Sequence, residues 1–192
     1  MPTSPAELLH DWHDFYILAG TASATLVGLM FVAASIASSF ITEEHEPQLK
    51  VFFTPTVSHF ATVLLASLWV TIPTHTWLSL ACAIGAAGFA GSIHCGIIVV
   101  HLIVRRKFKL ELSDRLFYAL VPVLGYVLLL VSAAFLFIRP AAGADLIAAA
   151  LLTLLLAGIR NAWDMMIFLT IKVPTAGGPP PPPSPDTPPA AG

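Results

Sequence analysis

Charged side chains are scarce in this sequence of 192 residues. Asp, Glu, Lys and Arg together make up 10% of it, whereas 57% of the residues are hydrophobic. A soluble domain carries about 25% charged residues, so water is the wrong solvent for most of this surface. The net charge of −2 also excludes the broad basic surface that binds nucleic acid. The composition therefore predicts an integral membrane protein whose main partner is the lipid bilayer.

The local motifs of common enzyme sites are also missing. The sequence contains no Gly-rich phosphate loop, no Gly-x-Ser-x-Gly nucleophile elbow and no His-Glu-x-x-His zinc motif. Cysteine is rare too, since Cys82 and Cys95 are the only two. They fall in one predicted helix about 20 Å apart, too far for a disulfide between them, and we predict two buried thiols. We therefore rank an enzymatic function below a transporter-like or an accessory function.

What the sequence has instead is five long apolar segments, at about residues 15–40, 51–72, 77–104, 116–138 and 144–171. A transmembrane helix needs about 20 such residues, so the predicted fold is an all-α bundle of five spans within residues 15–172. Ser4 to Glu7 has the form of a capping box with proline at the first helical position. Residues 1–14 are therefore expected to begin an interfacial helix. The Pro-rich segment 173–192 cannot bury apolar surface and is predicted to be a disordered tail.

The basic residues predict the orientation of the chain. Five spans put the two termini on opposite sides of the membrane, and the side of the N-terminus holds only Arg139. The other side holds seven basic residues, namely Lys50, Arg105, Arg106, Lys107, Lys109, Arg115 and Lys172. Because cytoplasmic loops carry the excess of Lys and Arg, we expect the N-terminus outside and the C-terminus inside.

Polar residues interrupt the apolar spans at similar depths. The last span carries Arg160, Asn161 and Asp164, and an ionisable group there costs about 3 kcal/mol unless it is paired or hydrated. Arg160 and Asp164 are four residues apart and can pair on one helix face. Measured from the span midpoints, His59, His94 and Tyr126 lie within about 5 Å of the level of Arg160. The sequence therefore predicts an intramembrane polar cluster of His59, His94, Tyr126, Arg160, Asn161 and Asp164.

This cluster has two main interpretations. It can be a polar pathway, in which His59, His94 and Asp164 exchange protons or Arg160 attracts an anion, as in a small transporter- or channel-like protein or a subunit of one. It can equally fix helix packing in a structural or accessory membrane protein.

Two ligand-binding interpretations rank lower. His59 and His94 lie at compatible depth to be the axial ligands of a haem, but they have a simpler role as hydrogen-bond partners, and no cofactor is predicted. His10 and His13 are three residues apart on a helix but lack a third ligand, so no metal site is predicted.

Small residues recur on two spans at intervals of four. Gly20, Ala24 and Gly28 lie on the first span, and Gly88, Ser92 and Gly96 on the third. Such faces let helix backbones approach closely. They can pack within one chain or between chains, so a homo-oligomer or a second membrane protein is the expected partner.

Three stretches resemble a group of short, uncharacterised bacterial integral membrane proteins. They are WHDFYILAGTASATLVGLMFVAASI, FFTPTVSHF and GIRNAWDMM, and the likeness covers most of residues 12 to 171. The resemblance implies a multi-span protein of the bacterial cytoplasmic membrane, and it implies no catalytic residues. Two of the stretches contain His59, Arg160, Asn161 and Asp164, whereas His94 and Tyr126 rest on the depth argument alone.

Overall fold

Six helices make up the fold seen in a computed structural model, which describes residues 4–38, 46–104 and 112–172. The described residues contain no strand. The helices are α1 (Pro5–His10), α2 (His13–Ser38), α3 (Glu46–Val70), α4 (Trp77–Val104), α5 (Leu112–Ile138) and α6 (Pro140–Lys172). Helices α2 to α6 are each long and apolar enough to cross a membrane. This confirms the all-helical fold with five candidate spans, while the predicted tail at 173–192 lies outside the described residues.

The chain begins with the predicted cap. The Ser4 side chain accepts a hydrogen bond from the Glu7 amide at 3.3 Å, and Pro5 stands at the start of α1. Pro is suited to this position because the first amides of a helix have no partner within it. Helix α1 ends at His10, and α2 begins at His13, so a break separates the short leading helix from the first span.

Helices α5 and α6 form a hairpin with one residue between them. Arg139 is that residue, and α6 begins at Pro140, four residues earlier than the predicted span. The Gly143 amide donates to the Arg139 carbonyl at 3.0 Å. A Cβ atom at Gly143 would lie 2.9 Å from the Leu136 backbone nitrogen. The turn is this tight because glycine lets the two backbones meet.

Helix α6 occupies the centre of the bundle. It packs against α5 and α3, which in turn pack against α4 and α2. Its buried side chains include Ile147, Leu151 and Leu154, which are not exposed at all. The outer helices present apolar side chains to the surroundings, as a lipid-facing surface requires.

Only part of each predicted small-residue face makes a close contact. Gly20 meets Ser67 of α3, whereas Gly28 has open space around its Cβ position. On α4, Gly88 meets the backbone of α5, whereas Gly96 again faces open space. Close approach is therefore confined to the part of each helix nearer the α3–α4 turn.

The two cysteines differ in environment. Cys95 is buried, but Cys82 is exposed, so the prediction of two buried thiols is wrong for Cys82. Leu78 and Ala86, one turn before and after Cys82 on α4, are exposed as well.

Candidate functional site

Among the histidines whose burial the structure describes, the most deeply buried lies halfway along α3. His59 is 1% exposed and stands eleven residues before Val70, the end of the helix. At a rise of about 1.5 Å per residue this is about 16 Å from that end, half of a hydrocarbon layer about 30 Å thick. Tyr126 is twelve residues before the end of α5, at about the same depth, and is also 1% exposed.

His59 and Tyr126 meet across the bundle. His59 Nδ1 lies 3.0 Å from the Tyr126 hydroxyl, and the two rings are 5.6 Å apart between centroids. The same hydroxyl lies 3.3 Å from Thr62 Oγ1. Thr62 in turn donates to the Ser58 carbonyl at 2.8 Å. Four polar groups from two helices thus form one hydrogen-bonded chain in the middle of the apolar bundle.

The direction of this chain follows from the number of hydrogens. The Thr62 hydroxyl has one hydrogen and donates it to the Ser58 carbonyl, so Oγ1 accepts from Tyr126. Tyr126 has then used its only hydrogen, and its oxygen accepts from His59 Nδ1–H. A neutral imidazole with hydrogen on Nδ1 has its lone pair on Nε2. The chain therefore makes His59 Nε2 the basic nitrogen.

Glycines make room for the rings of this chain. A Cβ atom at Gly91 would overlap the Tyr126 ring, and one at Gly158 would overlap the ring of Phe60. Ser23 of α2 donates to the Phe60 carbonyl at 2.5 Å. These contacts join all five long helices, α2 to α6, at the level of His59. We call the group Ser23, His59, Thr62 and Tyr126 the polar layer.

His94 belongs to the surroundings of this layer. It lies on α4 within electrostatic range of His59. Its Nε2 atom is buried and has no hydrogen-bond partner among the described residues. A buried imidazole nitrogen without a partner is costly, since unsatisfied polar groups lose their hydration. His94 thus offers a second buried imidazole nitrogen within electrostatic range of His59.

The charged part of the predicted cluster lies at the surface of the bundle. Arg160 Nε and Asp164 Oδ2 are 3.3 Å apart, so the predicted pair is present. Their side chains are 44% and 28% exposed, whereas Asn161, one residue along, is 4% exposed. The prediction that the pair is enclosed within the bundle therefore fails. A turn of about 100° per residue carries Arg160 outward while Asn161 points inward.

Several buried hydroxyl groups belong to the site beyond those predicted from the sequence. Thr62 is part of the hydrogen-bonded chain, and Thr56 and Ser23 are not exposed at all. A signal for Thr62 and Thr56 was available, because residues 54–62 of α3 are unusually polar for a span. Ser23 gave no such signal, since small serine, threonine and alanine residues are common in membrane-spanning helices.

The described part of the chain does not contain a recognisable metal site. Residues 4–38, 46–104 and 112–172 contain no group of three His, Cys, Asp or Glu side chains arranged to hold a metal ion. His10 contacts the exposed Asp11 at 3.6 Å. Comparison of the chain with protein families, curated proteins and solved structures gives no match.

Proposed function

We propose that this protein is a small transporter- or channel-like membrane protein, or a subunit of one, in which His59 exchanges protons at the middle of the bilayer. The observation that carries the proposal is the hydrogen-bonded chain from His59 through Tyr126 to Thr62. A histidine is the side chain whose charge changes most readily near neutral pH. An ionisable group at membrane depth is a functional candidate by default.

Tyr126, Thr62 and His94 each have a distinct part in this mechanism. Tyr126 and Thr62 hold the hydrogen of His59 on Nδ1, so that Nε2 takes up and releases the proton. His94, with a buried nitrogen that no described group satisfies, is the next site for that proton. Arg160 and Asp164 have no part in the step, because the pair lies at the bundle surface.

We further propose the setting in which this mechanism operates. The positive-inside pattern places the N-terminus outside and the C-terminus in the cytoplasm. The resemblance to bacterial multi-span proteins favours the cytoplasmic membrane of a bacterium. In this setting the bilayer is the immediate partner of the exposed apolar side chains.

The test is proton flux in proteoliposomes that contain a pH-sensitive dye and carry an imposed membrane potential. We expect the unaltered protein to acidify or alkalinise the lumen, and His59→Ala to abolish this flux. Tyr126→Phe should lower the rate about tenfold, because a hydrogen bond worth about 1.5 kcal/mol is lost. His75→Ala is the matched control: His75 bonds Trp69 and Ser79 near the α3–α4 turn, far from the layer, and its flux should be unchanged.

An accessory protein is the second candidate, and one observation favours it. The hydrogen-bonded chain ends on the Ser58 carbonyl, which accepts a hydrogen bond but has no proton to pass on. In that case the layer only fixes helix packing, the unaltered protein conducts no more than empty liposomes, and His59→Ala lowers the thermal unfolding midpoint. This outcome would refute the proton path.

The geometry does not favour a haem between His59 and His94. His59 is 1% exposed, packs against the Tyr126 ring and uses Nδ1 in the hydrogen-bonded chain. The imidazole is already enclosed by side chains of the bundle, which leaves little room for a macrocycle over Nε2. We therefore assign no step to haem.

A further inference from the structure

The Arg160–Asp164 pair is out of place on a surface that faces lipid. Among the described parts of the five candidate spans, the other charged side chains are Asp14 and Asp145, both near the ends of their helices. Arg160 and Asp164 instead follow twenty or more residues of α6. Every other described stretch of the outer surface at this level is uncharged, and uncharged surface is what lipid tolerates.

The depth of the pair follows from a contact. Gly158 touches the Phe60 ring, and Phe60 is ten residues before the end of α3, about 15 Å from that end. Arg160 is two residues beyond Gly158 and Asp164 six, which adds about 3 and 9 Å. Both residues also fall within the candidate membrane span Pro140–Ile167. Their exposure of 44% and 28% is exposure to an apolar medium unless something covers them.

The face that carries Arg160 has the spacing of a helix–helix seam. Its positions alternate in steps of four and three, which keeps them in line along a helix that packs on a like helix. They are Ala149, Thr153, Leu156, Arg160, Trp163 and Ile167. Leu156 and Trp163 are 63% and 66% exposed, so no described part of the chain covers the seam at these two positions. The small residues at its beginning permit close backbone approach.

We propose that a second copy of the chain packs on this seam, with the two α6 helices related by a two-fold axis along the membrane normal. The face is complementary to itself, because it presents a cation and an anion side by side. Arg160 of each copy then shares Asp164 of the other as well as its own. The pair becomes a network of four charges removed from lipid. The seam does not involve the polar layer, so this inference stands independently of the proton path.

The first test is disulfide trapping in membranes. In a background with Cys82→Ser and Cys95→Ala, Leu156→Cys is expected to give a covalent dimer on mild oxidation. Leu124→Cys is the matched control, since Leu124 is 52% exposed on α5 and lies at a similar depth. Trapping at Leu156→Cys that is no faster than at Leu124→Cys would show that the seam faces lipid and would overturn the proposal.

The second test reverses the charges. Arg160→Asp and Asp164→Arg each place like charges across the axis and should weaken self-association about tenfold or more, measured by native mass spectrometry of the full chain in detergent. When the two variants are co-expressed with different affinity tags, opposite charges face each other again. They should then co-purify as a mixed dimer. Self-association of either variant at the unaltered level, or failure of the mixed pair, would contradict the two-fold arrangement.

Discussion

At the scale of single residues, the polar layer depends on the Tyr126 hydroxyl. This one group joins His59 to Thr62, and all three side chains come from the middle of spans. The chain offers a close comparison in Tyr16. Its ring is also 1% exposed, but its hydroxyl has no hydrogen-bond partner among the described residues. Comparing the two tyrosines therefore separates the contribution of the hydrogen bond to stability from that of the buried ring.

We predict that Tyr126→Phe lowers the free energy of unfolding by about 1–3 kcal/mol, because it leaves His59 Nδ1 buried without a partner. Tyr16→Phe removes a hydroxyl that gains nothing from the fold, so it should be neutral within about 0.5 kcal/mol or stabilising. Thermal and denaturant unfolding in detergent, followed by circular dichroism, measures both. Equal losses for the two variants would mean that the His59–Tyr126 bond contributes nothing.

At the scale of helices, glycine position decides how α4 and α5 approach. The sequence predicts a ridge of Gly88, Ser92 and Gly96, but contact is made at Gly88 and Gly91. A Cβ at Gly88 would lie 2.6 Å from the Leu130 backbone nitrogen, which cannot move aside as a side chain can. Gly96 meets nothing within 4 Å. The helices thus converge toward the α3–α4 turn, and only the glycines at that end are required.

Gly88→Ala should therefore destabilise the protein by about 1–3 kcal/mol, the usual cost of overpacking. Gly96→Ala on the same helix is the matched control. It should leave stability unchanged or raise it by up to about 1 kcal/mol, since alanine is the better helix former. Unfolding midpoints of the two variants decide the matter, and a Gly88→Ala protein as stable as Gly96→Ala would mean that the α4–α5 contact is looser than described.

At the scale of the whole molecule, the orientation in the membrane is the main open prediction. Seven basic residues fall in the segments predicted for one side of the membrane, and Arg139 falls in a segment predicted for the other. Thr74, which is exposed in the turn between α3 and α4, lies on the side with Arg139. The positive-inside rule places this side outside the cell.

In a variant without native cysteines, Thr74→Cys should react with a membrane-impermeant maleimide in intact cells. Lys107→Cys, at a position outside the described residues, should react only after lysis. Both should react in lysed cells, which controls for reactivity. The reverse pattern of labelling would show that the chain is inserted the other way round, and it would leave the helical bundle itself unaffected.

The sequence predicts the position of each site residue along its own helix. The level of His59 and Tyr126 follows from counting residues along each span, because a helix rises by a constant amount per residue. The two do meet. The pairing of Arg160 with Asp164 also follows from their spacing of four, since it needs only one helix. The prediction fails where it depends on how neighbouring helices pack, because it assigns the Arg160–Asp164 pair to the interior of the bundle.

The sequence by itself determined that this is a helical protein with five segments long and apolar enough to span a membrane, because span length and composition are properties of one segment at a time. Only the tertiary structure decided which way each span is turned. Apolar residues cover every side of these helices, so hydrophobicity does not distinguish an inner face from a lipid-facing one. The rotation depends on where glycines let a neighbour approach, as Gly158 does for Phe60 and Gly91 for Tyr126. That packing turned Asn161 inward and Arg160 outward.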